Sequence, residues 1–511
     1  MYGRVMGVAV FGVRGRPVVV EAHVGRGLPS LTLTGLPGAA VQDARDRIRP
    51  AVESAKLEWP LRRVVVNLSP GNIRKDGPGL DLAVAMSVLV ATGQAQADGV
   101  QRWGFAGELS LKGTLVSTPG VLSVSIAAAA YGLRGVVVPE MNAAEAALVD
   151  GIEVVGAPSL AEVVGFFRGT WRPPPPARTV RRGDGRHAVD LSEIRGQAQA
   201  RRALEVAAAG GHNVLFVGAP GAGKTMLARR LATILPAMSG PEALEVTQLH
   251  SVAGLLEGDG LVRDRPFRSP HHSASPGALL GGGASYLRPG EVSLAHNGVL
   301  FLDELTEFRR DALEGLRQPL EDGRVVVTRV IGSVEFPARF TLVAAANPCP
   351  CGYDGDVSRR CTCRIDRVEI YRSKLSGPLL DRIDIRLTIP RLTRQELFGQ
   401  SAGEPSVAVR GRVEEARDRQ RTRYATLGFH CNAQLPGPVA RRHMRLAPAA
   451  EELLANAVET HSLSGRGFDR ALKVARTIAD LAGAERVNAD HVVEALAYRT
   501  AISAEGMVRA G

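Results

Sequence analysis

Eight residues, Gly218-Ala-Pro-Gly-Ala-Gly-Lys-Thr225, carry the sharpest chemical signal in the chain. The apolar run Val214–Val217 precedes them and a helical stretch, Met226–Leu235, follows. Strand, glycine-rich loop and helix in that order build a phosphate cradle. Glycines let backbone N–H groups close around oxyanions, and the helix N-terminus adds a favourable dipole. This is the context that a Walker A motif requires. The expected contacts to ATP are Gly218, Ala219, Pro220, Gly221, Ala222, Gly223, Lys224, Thr225 and Met226. Lys224 can reach the β- and γ-phosphates, and the Thr225 hydroxyl can ligate Mg2+.

Three further segments offer the rest of a phosphoryl-transfer site. Gly298-Val-Leu-Phe-Leu-Asp-Glu304 reads as a buried strand ending in two carboxylates. Adjacent strand residues point to opposite sides, so the two acids can hold different tasks. Asp303 is expected to hold the Mg2+ hydration shell and Glu304 to polarise the attacking water. Phe340-Thr-Leu-Val-Ala-Ala-Ala-Asn347 is a second buried strand, ending in an amide that can orient that water. Arg382 stands just before the strand-like Ile385–Ile389. An arginine supplied by a neighbouring subunit is worth roughly 10³–10⁵ in rate. Arg382 is the candidate for that role, a surface salt bridge being its plain alternative. Arg470 opens the predicted helix Arg470–Leu481 and can approach the phosphates from that side, or merely decorate the helix surface.

Cysteines form a separate constellation. Cys349-Pro-Cys351 and Cys361-Thr-Cys363 are two Cys-x-Cys pairs nine residues apart. Four thiolates in one loop can wrap a tetrahedral Zn2+, although Cys-x-x-Cys is the usual knuckle. Free thiols and a redox function are the other readings. Cys431 stands alone and reads as structural.

The elements that must position these residues fall into three blocks. In residues 1–168, strand-like runs (Val8–Val13, Val18–Val24, Arg63–Leu68, Gly135–Val138, Ile152–Val155) alternate with helical ones (Val41–Lys56, Leu80–Ala91, Val121–Tyr131), which predicts a mixed α/β domain. Residues 169–188 hold four consecutive prolines and a cluster of arginines, a linker composition. Residues 189–390 return to strand–loop–helix. Residues 391–511 read mostly as helix, with 3.6-residue periodicity over Pro448–His461, Arg470–Leu481 and Ala489–Thr500 and an N-cap at Asn488.

The chain has 511 residues, 45% of them hydrophobic and 23% charged, ample for packed cores and ordinary for a globular protein. No run of about 18 apolar residues predicts a membrane span. Arginines interrupt the apolar N-terminus, which therefore reads as a strand and not as a leader peptide. Five cysteines in so long a chain are no disulfide scaffold, so the expected compartment is the cytoplasm. The net charge of +11 favours a polyanionic partner. Only 6 of the 63 basic residues are lysine, however, and overuse of arginine can reflect coding-DNA composition.

This order of motifs resembles the AAA+ ATPases, and more narrowly the magnesium-chelatase-like ATPases of the ComM/YifB family. The likeness covers nearly the whole chain. It is carried by Val189-Asp-Leu-Ser-Glu-Ile-Arg-Gly-Gln197, the Walker A loop, Phe267-Arg-Ser-Pro-His-His-Ser273, Pro289–Glu304 and Ser376-Gly-Pro-Leu-Leu-Asp-Arg-Ile-Asp384. It implies a central αβα P-loop domain, a C-terminal helical lid, and a ring, expected to be a hexamer, with ATP between neighbours. Lys224, Thr225, Asp303, Glu304, Asn347 and Arg382 take the Walker A, Walker B, first-sensor and arginine-finger roles, and Arg470 the second sensor. Members near ComM imply DNA branch migration during recombination of incoming strands in natural transformation. Relatives in tetrapyrrole synthesis, and MoxR-like chaperones, imply a metal-insertion or protein partner instead.

The N-terminal domain resembles the proteolytic domain of Lon, a ribosomal S5 domain 2-like α/β fold, through Arg74-Lys-Asp-Gly-Pro-Gly-Leu-Asp-Leu82. Gly79 stands where Lon has its nucleophilic serine, and the catalytic lysine position falls near Leu122. A Ser–Lys pair needs both members, so protease activity is not expected. The resemblance also suggests where DNA is met. Residues 322–336 read as a β-hairpin with Arg329 near its tip, which in MCM-like ATPases projects into the pore. Gly254–Pro289, with Arg268, His271 and His272, corresponds to an insertion in the second helix that also faces the pore. Both can serve neighbouring subunits instead. The stretch from Arg168 to Arg202 has nine arginines against three acids, a basic strap or simply a solvated linker. Arg410–Arg423 interleaves Glu414, Glu415 and Asp418 at helical spacing and predicts a salt-bridged helix face.

Overall fold

The computed structural model describes all residues except 76–77, 176–188, 257–259, 284–286, 330–331, 357–358, 399–402, 461–462 and 501–511. Most of the predicted linker therefore lies outside the described residues, as does the tip of the predicted hairpin.

A long antiparallel ribbon organises the N-terminal domain. Tyr2–Phe11 pairs with Arg14–Gly25 in a register running from Tyr2 opposite His23 to Phe11 opposite Arg14. The two-residue turn uses Gly12 at φ +59°. The full sheet has seven strands in the order Ser30–Thr34, Arg63–Ser69, Arg14–Gly25, Tyr2–Phe11, Trp103–Phe105, Gly135–Pro139 and Glu153–Ala157. Helix Asp81–Ala91 is apolar around its whole circumference and all of its residues are buried. A helix without a polar face has to be surrounded, and this one packs against the ribbon. The mixed α/β expectation holds. Two of the sheet's seven strands were not foreseen, nor was the separate short pair Glu108–Leu109/Leu115–Val116, and the strand read as Val8–Val13 runs Tyr2–Phe11. Ser30–Thr34 is an edge strand of alternating serine, leucine and threonine, and Trp103–Phe105 is only three residues long with a central glycine.

The central domain is built on five parallel strands in the order Phe267–Arg268, Val299–Leu302, Thr341–Ala346, Val214–Val217 and Ile385–Thr388. The second, third and fourth are nearly continuous apolar runs, as strands covered on both faces must be, whereas the edge strand Ile385–Thr388 alternates apolar residues with Arg386 and Thr388. The first strand in sequence sits between the fourth and the fifth, so the chain reverses its direction of travel there. Open α/β sheets bind ligands at such a crossover, beyond the carboxyl ends of the strands.

Helices Ser406–Arg423, Gly437–His443, Pro448–Thr460, Gly465–Leu481 and Ala489–Thr500 form the C-terminal part. One apolar core runs through it and the sheet domain, joining Leu204 and Phe216 to Leu472 and Ile478. Asn488 caps its helix as predicted, its side-chain oxygen accepting from the His491 N–H at 3.1 Å. The helix predicted to open at Arg470 begins earlier, at Gly465, with the Ser464 hydroxyl accepting from Gly467 N–H. The arginine-rich helix also corrects its prediction in part. Arg419–Glu415 and Arg421–Asp418 do bridge along it. Arg410, Arg412 and Arg417 instead dock it on the core, donating to Thr233 O, Glu205 and Ala208 O, while Arg423 reaches the buried Asp480.

The N-terminal domain is not a loose appendage. Its helix Val121–Ala130 lies against core helix Gly240–Ala253. Gly120 N–H donates to Ser251 O at 3.1 Å. The buried Glu145 accepts from Leu122 N–H at 2.9 Å and from the Ser251 hydroxyl. Gly12 of the ribbon turn packs against Val334 of the hairpin Arg324–Arg329/Gly332–Pro337, so the hairpin predicted from sequence is present and braced from its side. Leu122, at the position of the Lon lysine, is fully buried.

Candidate nucleotide site and cysteine cluster

Strand Val214–Val217 ends in the glycine loop, and helix Lys224–Ile234 starts at its far side. Gly221 and Gly223 adopt φ +80° and +91°, left-handed conformations in which a β-carbon would be strained. The third glycine serves a close approach: a β-carbon on Gly218 would stand 2.5 Å from Ile389 O. Lys224 lies buried along the loop, donating to Gly218 O at 2.6 Å, Ala219 O at 3.1 Å and Asn347 Oδ1 at 3.1 Å. Burial pushes its ammonium below the ordinary lysine range, against the pull of Asp303 and Glu304. Thr225 Oγ1 donates to Asp303 Oδ2 at 2.8 Å. Lys224, Thr225, Asp303 and Asn347 come from three neighbouring strand ends and meet in one place. The hydroxyl–carboxylate pair and the amide-lined loop fit Mg2+ and a triphosphate respectively. Glu304 follows at once, with its backbone at φ +51° and its carboxylate half exposed.

Arg382 and Arg470 are elsewhere. Asn213 precedes the Walker A strand, and its side-chain amide donates to Arg382 O at 3.0 Å while its N–H donates to Asp384 Oδ2 at 3.0 Å. Arg470 donates to Asp384 Oδ1 and to Arg382 O. Both arginines thus sit at the amino ends of strands whose carboxyl ends carry the glycine loop. Four residues of strand span about 13 Å. Arg470, expected to approach the phosphates from the helical side, is bound in this chain to Asp384 at the edge of the sheet away from the chain's own glycine loop. Burial alone would raise the Asp384 carboxyl, but the Arg470 charge and the contacts from His212 and Arg470 hold it well below the usual range. Arg382 is paired with Glu321 and donates to Pro378 O at 2.8 Å. A cleft of about 1050 Å³ opens here between sheet and helices, lined by Glu321, Arg382, Arg466, Arg470 and Lys473 among others.

The four cysteines converge. Sγ–Sγ separations are 3.3 Å for Cys349–Cys351, 3.6 Å for Cys349–Cys361 and 3.6 Å for Cys351–Cys361, and all four sulfurs lie within 4.8 Å of one another. Tetrahedral Zn–S bonds of about 2.3 Å set sulfurs about 3.8 Å apart. The donor set therefore fits a metal ion, with Cys351 N–H and Cys363 N–H also aimed at neighbouring sulfurs. Burial opposes ionisation of Cys351, but N–H groups of Thr362 and Tyr353 and the adjacent thiols outweigh it and bring this thiol down to about 6. The loop also touches the nucleotide site, a contact that sequence reasoning missed. A β-carbon on Gly352, which has φ +84°, would meet Pro220 Cδ at 2.5 Å. Arg391 lies over the Tyr353 ring at 5.2 Å, pairs with Asp356 at 3.0 Å and donates to Pro220 O at 3.4 Å.

Three of the residues predicted to meet DNA make contacts within the chain. Arg268 makes a two-pronged pair with Glu291, at 2.6 and 2.8 Å. His271 Nδ1 is 2.8 Å from Ser273 Oγ. His272 Nδ1 is 3.3 Å from Glu304 Oε2. The Arg329 side chain lies outside the described residues.

Fold and site together define a P-loop protein of the AAA+ class. Residues 190–397 match the family described as magnesium chelatase, subunit ChlI; residues 20–142 match subunit ChlI of Mg-chelatase; residues 403–499 match the ChlI C-terminal family. An uncharacterised protein of Mycobacterium tuberculosis is 46% identical over 97% of this chain and 98% of its own. Competence protein ComM of Haemophilus influenzae is 41% identical over 97% of this chain and 96% of its own. YifB of Escherichia coli is 42% identical over 96% of both. Similarity to Lon protease is found as well. The chain belongs to the magnesium-chelatase-like AAA+ ATPases of the ComM/YifB family. Such proteins are usually oligomeric. No described helix is long and apolar enough to cross a membrane.

Proposed function

We propose that this protein is a cytoplasmic ring motor, a hexamer of its own copies, that hydrolyses ATP to move on DNA and remodel branched recombination intermediates during natural transformation. The observation that carries the reading is the split site. Lys224, Thr225, Asp303 and Asn347 meet at one end of the sheet, whereas Arg382 stands at the other. An arginine there serves a phosphate only in an adjoining subunit, which is a head-to-tail, ring-forming arrangement. Loop amides and Lys224 bind the β- and γ-phosphates. Thr225 and Asp303 hold Mg2+, which supplies charge neutralisation on the phosphates. Glu304 takes the proton of the attacking water, Asn347 orients that water, and Arg382 of the neighbour meets the charge that develops on the γ-phosphate. The four cysteines hold one Zn2+ that fixes the loop after Asn347. DNA as the track is supported by the +11 net charge and by the likeness to a competence protein.

ATPase rate with and without forked DNA, across a salt series, tests this. We expect stimulation by DNA that falls steeply as salt rises, because basic side chains displace counterions from phosphates. Glu304→Gln is expected to bind ATP and DNA but to turn over at least about a hundredfold more slowly, the scale of general base catalysis. DNA-independent turnover that a protein partner accelerates would favour the second reading, a chelatase-type or MoxR-like motor acting on a protein or metal-insertion partner. The names of the three matched families support that alternative.

A further inference from the structure

Asn213 stands one residue before the apolar Walker A strand, and it is buried with all of its polar groups in use. Its N–H donates to Asp384 Oδ2 at 3.0 Å, and its carbonyl accepts from the N–H groups of Asp384 at 3.1 Å and Ile385 at 3.0 Å. In the side chain, Oδ1 accepts from Leu342 N–H at 2.8 Å and Nδ2 donates to Arg382 O at 3.0 Å. One amide therefore bridges two stretches of backbone, one offering an N–H and the other a carbonyl. Only a group that both accepts and donates can do this.

The two stretches have different tasks. Leu342 belongs to strand Thr341–Ala346, which leads to Asn347, and Val214–Val217 leads into the glycine loop. These strands pair in parallel from Val214 opposite Val343 to Val217 opposite Ala346. Both carry the chain's own nucleotide contacts at their far ends and meet Asn213 at their near ends. Arg382 lies in the turn before the edge strand and lines the cleft that Asn213 also lines. Within that turn, Arg382 N–H donates to Leu379 O at 3.0 Å. Its carbonyl is held by Asn213 and, at 3.2 Å, by Arg470 from the helical part. Holding that carbonyl fixes the peptide plane attached to the Arg382 α-carbon, and so the direction in which the side chain leaves.

We infer that Asn213 is a positioning residue for Arg382: it holds the backbone of that arginine against the two strands that bear the chain's own phosphate loop and sensor amide, and its effect is felt in the neighbour's site. An apolar residue at 213 leaves both the buried Leu342 N–H and Arg382 O short of a partner. The arginine turn is then free to shift, and a misplacement of about 1 Å costs up to about a hundredfold in rate. The inference rests on Arg382 serving an adjoining copy.

Steady-state ATPase kinetics of full-length chains, alone and in equal co-assembled mixtures, test it. Asn213→Ala is expected to lower kcat about tenfold while KM for ATP stays within about twofold, since the glycine loop lies a strand's length away. Asn213→Asp keeps an acceptor for Leu342 N–H and loses the donor to Arg382 O, so it should show the same split. Mixtures locate the defect. With Lys224→Ala chains, which bring an intact Arg382 and its Asn213, either variant should recover about a quarter of wild-type turnover. With Arg382→Ala chains it should gain nothing above the average of the two components. The reverse pattern puts the defect in the variant's own pocket and overturns the inference. So does recovery with neither partner, or an unchanged kcat in Asn213→Ala. A mixture of Lys224→Ala with Arg382→Ala chains separates the two readings. If it recovers while the Asn213 mixtures do not, only the role of Asn213 falls. If it stays inactive although co-assembled, the shared site falls and the inference with it.

Discussion

Asp384 illustrates how much one side chain carries. It is buried at the start of strand Ile385–Thr388 and accepts from Asn213 N–H at 3.0 Å, lies 3.5 Å from His212 Nδ1 and binds Arg470 from the helical part. Its carboxyl is held below the ordinary range, whereas burial pushes the His212 imidazole down toward its neutral form. A depressed carboxyl contributes stability that is present above its unfolded pKa of about 4 and is lost as pH falls below that value toward the folded one. Asp384→Asn leaves the Arg470 charge without its partner and should cost on the order of 3 kcal/mol at neutral pH. Chemical unfolding as a function of pH checks this. The variant should unfold at lower denaturant at pH 7 and lose less stability than wild type between about pH 5 and pH 3. At this scale the nucleotide site was legible because motif spacing ties Lys224, Thr225, Asp303 and Asn347 to strand ends. The start of the helix that carries Arg470 was missed because Gly465 and Gly467, poor helix formers, hide its first turn behind the Ser464 cap. The His272–Glu304 contact leaves no periodic trace in the sequence.

Between the sensor strand and Arg391, one short loop supports the Walker A turn. Its sulfurs are arranged for a single metal ion, and its Gly352 turn closes on Pro220. Replacing Cys351 and Cys361 together with serine is expected to reduce zinc content from about one per chain to none and to weaken the ring, with ATPase falling on the order of tenfold as the loop shifts. Gly352→Ala separates metal from contact. It should keep zinc but weaken ATP binding about tenfold, since it forces a β-carbon into left-handed backbone and against Pro220. Metal analysis with nucleotide titration reads both, and full nucleotide affinity in both variants would contradict the bracing role. The grouping of four cysteines could be read from spacing, but their proximity to Pro220 depends on where two loops fold back. Element types were legible wherever periodicity was long, as in Ala489–Thr500. They were not in Ser30–Thr34 and Trp103–Phe105, which are too short to show it.

Three units are coupled in the whole chain. The division near residue 168 was visible as a change of composition, but the attachment of the N-terminal domain was not. That attachment uses Glu145, Ser251, Gln248 and Gly12, scattered residues with no pattern in common. The same scale holds the central claim, that each nucleotide site takes Arg382 from an adjoining copy. Co-assembly of Lys224→Ala chains with Arg382→Ala chains addresses it most directly. Each variant alone should be inactive. In an equal random mixture, about a quarter of the sites would combine an intact Lys224 with an intact neighbouring Arg382, so about a quarter of wild-type ATPase should return. A mixture as inactive as its components, although co-assembled, would contradict a shared site.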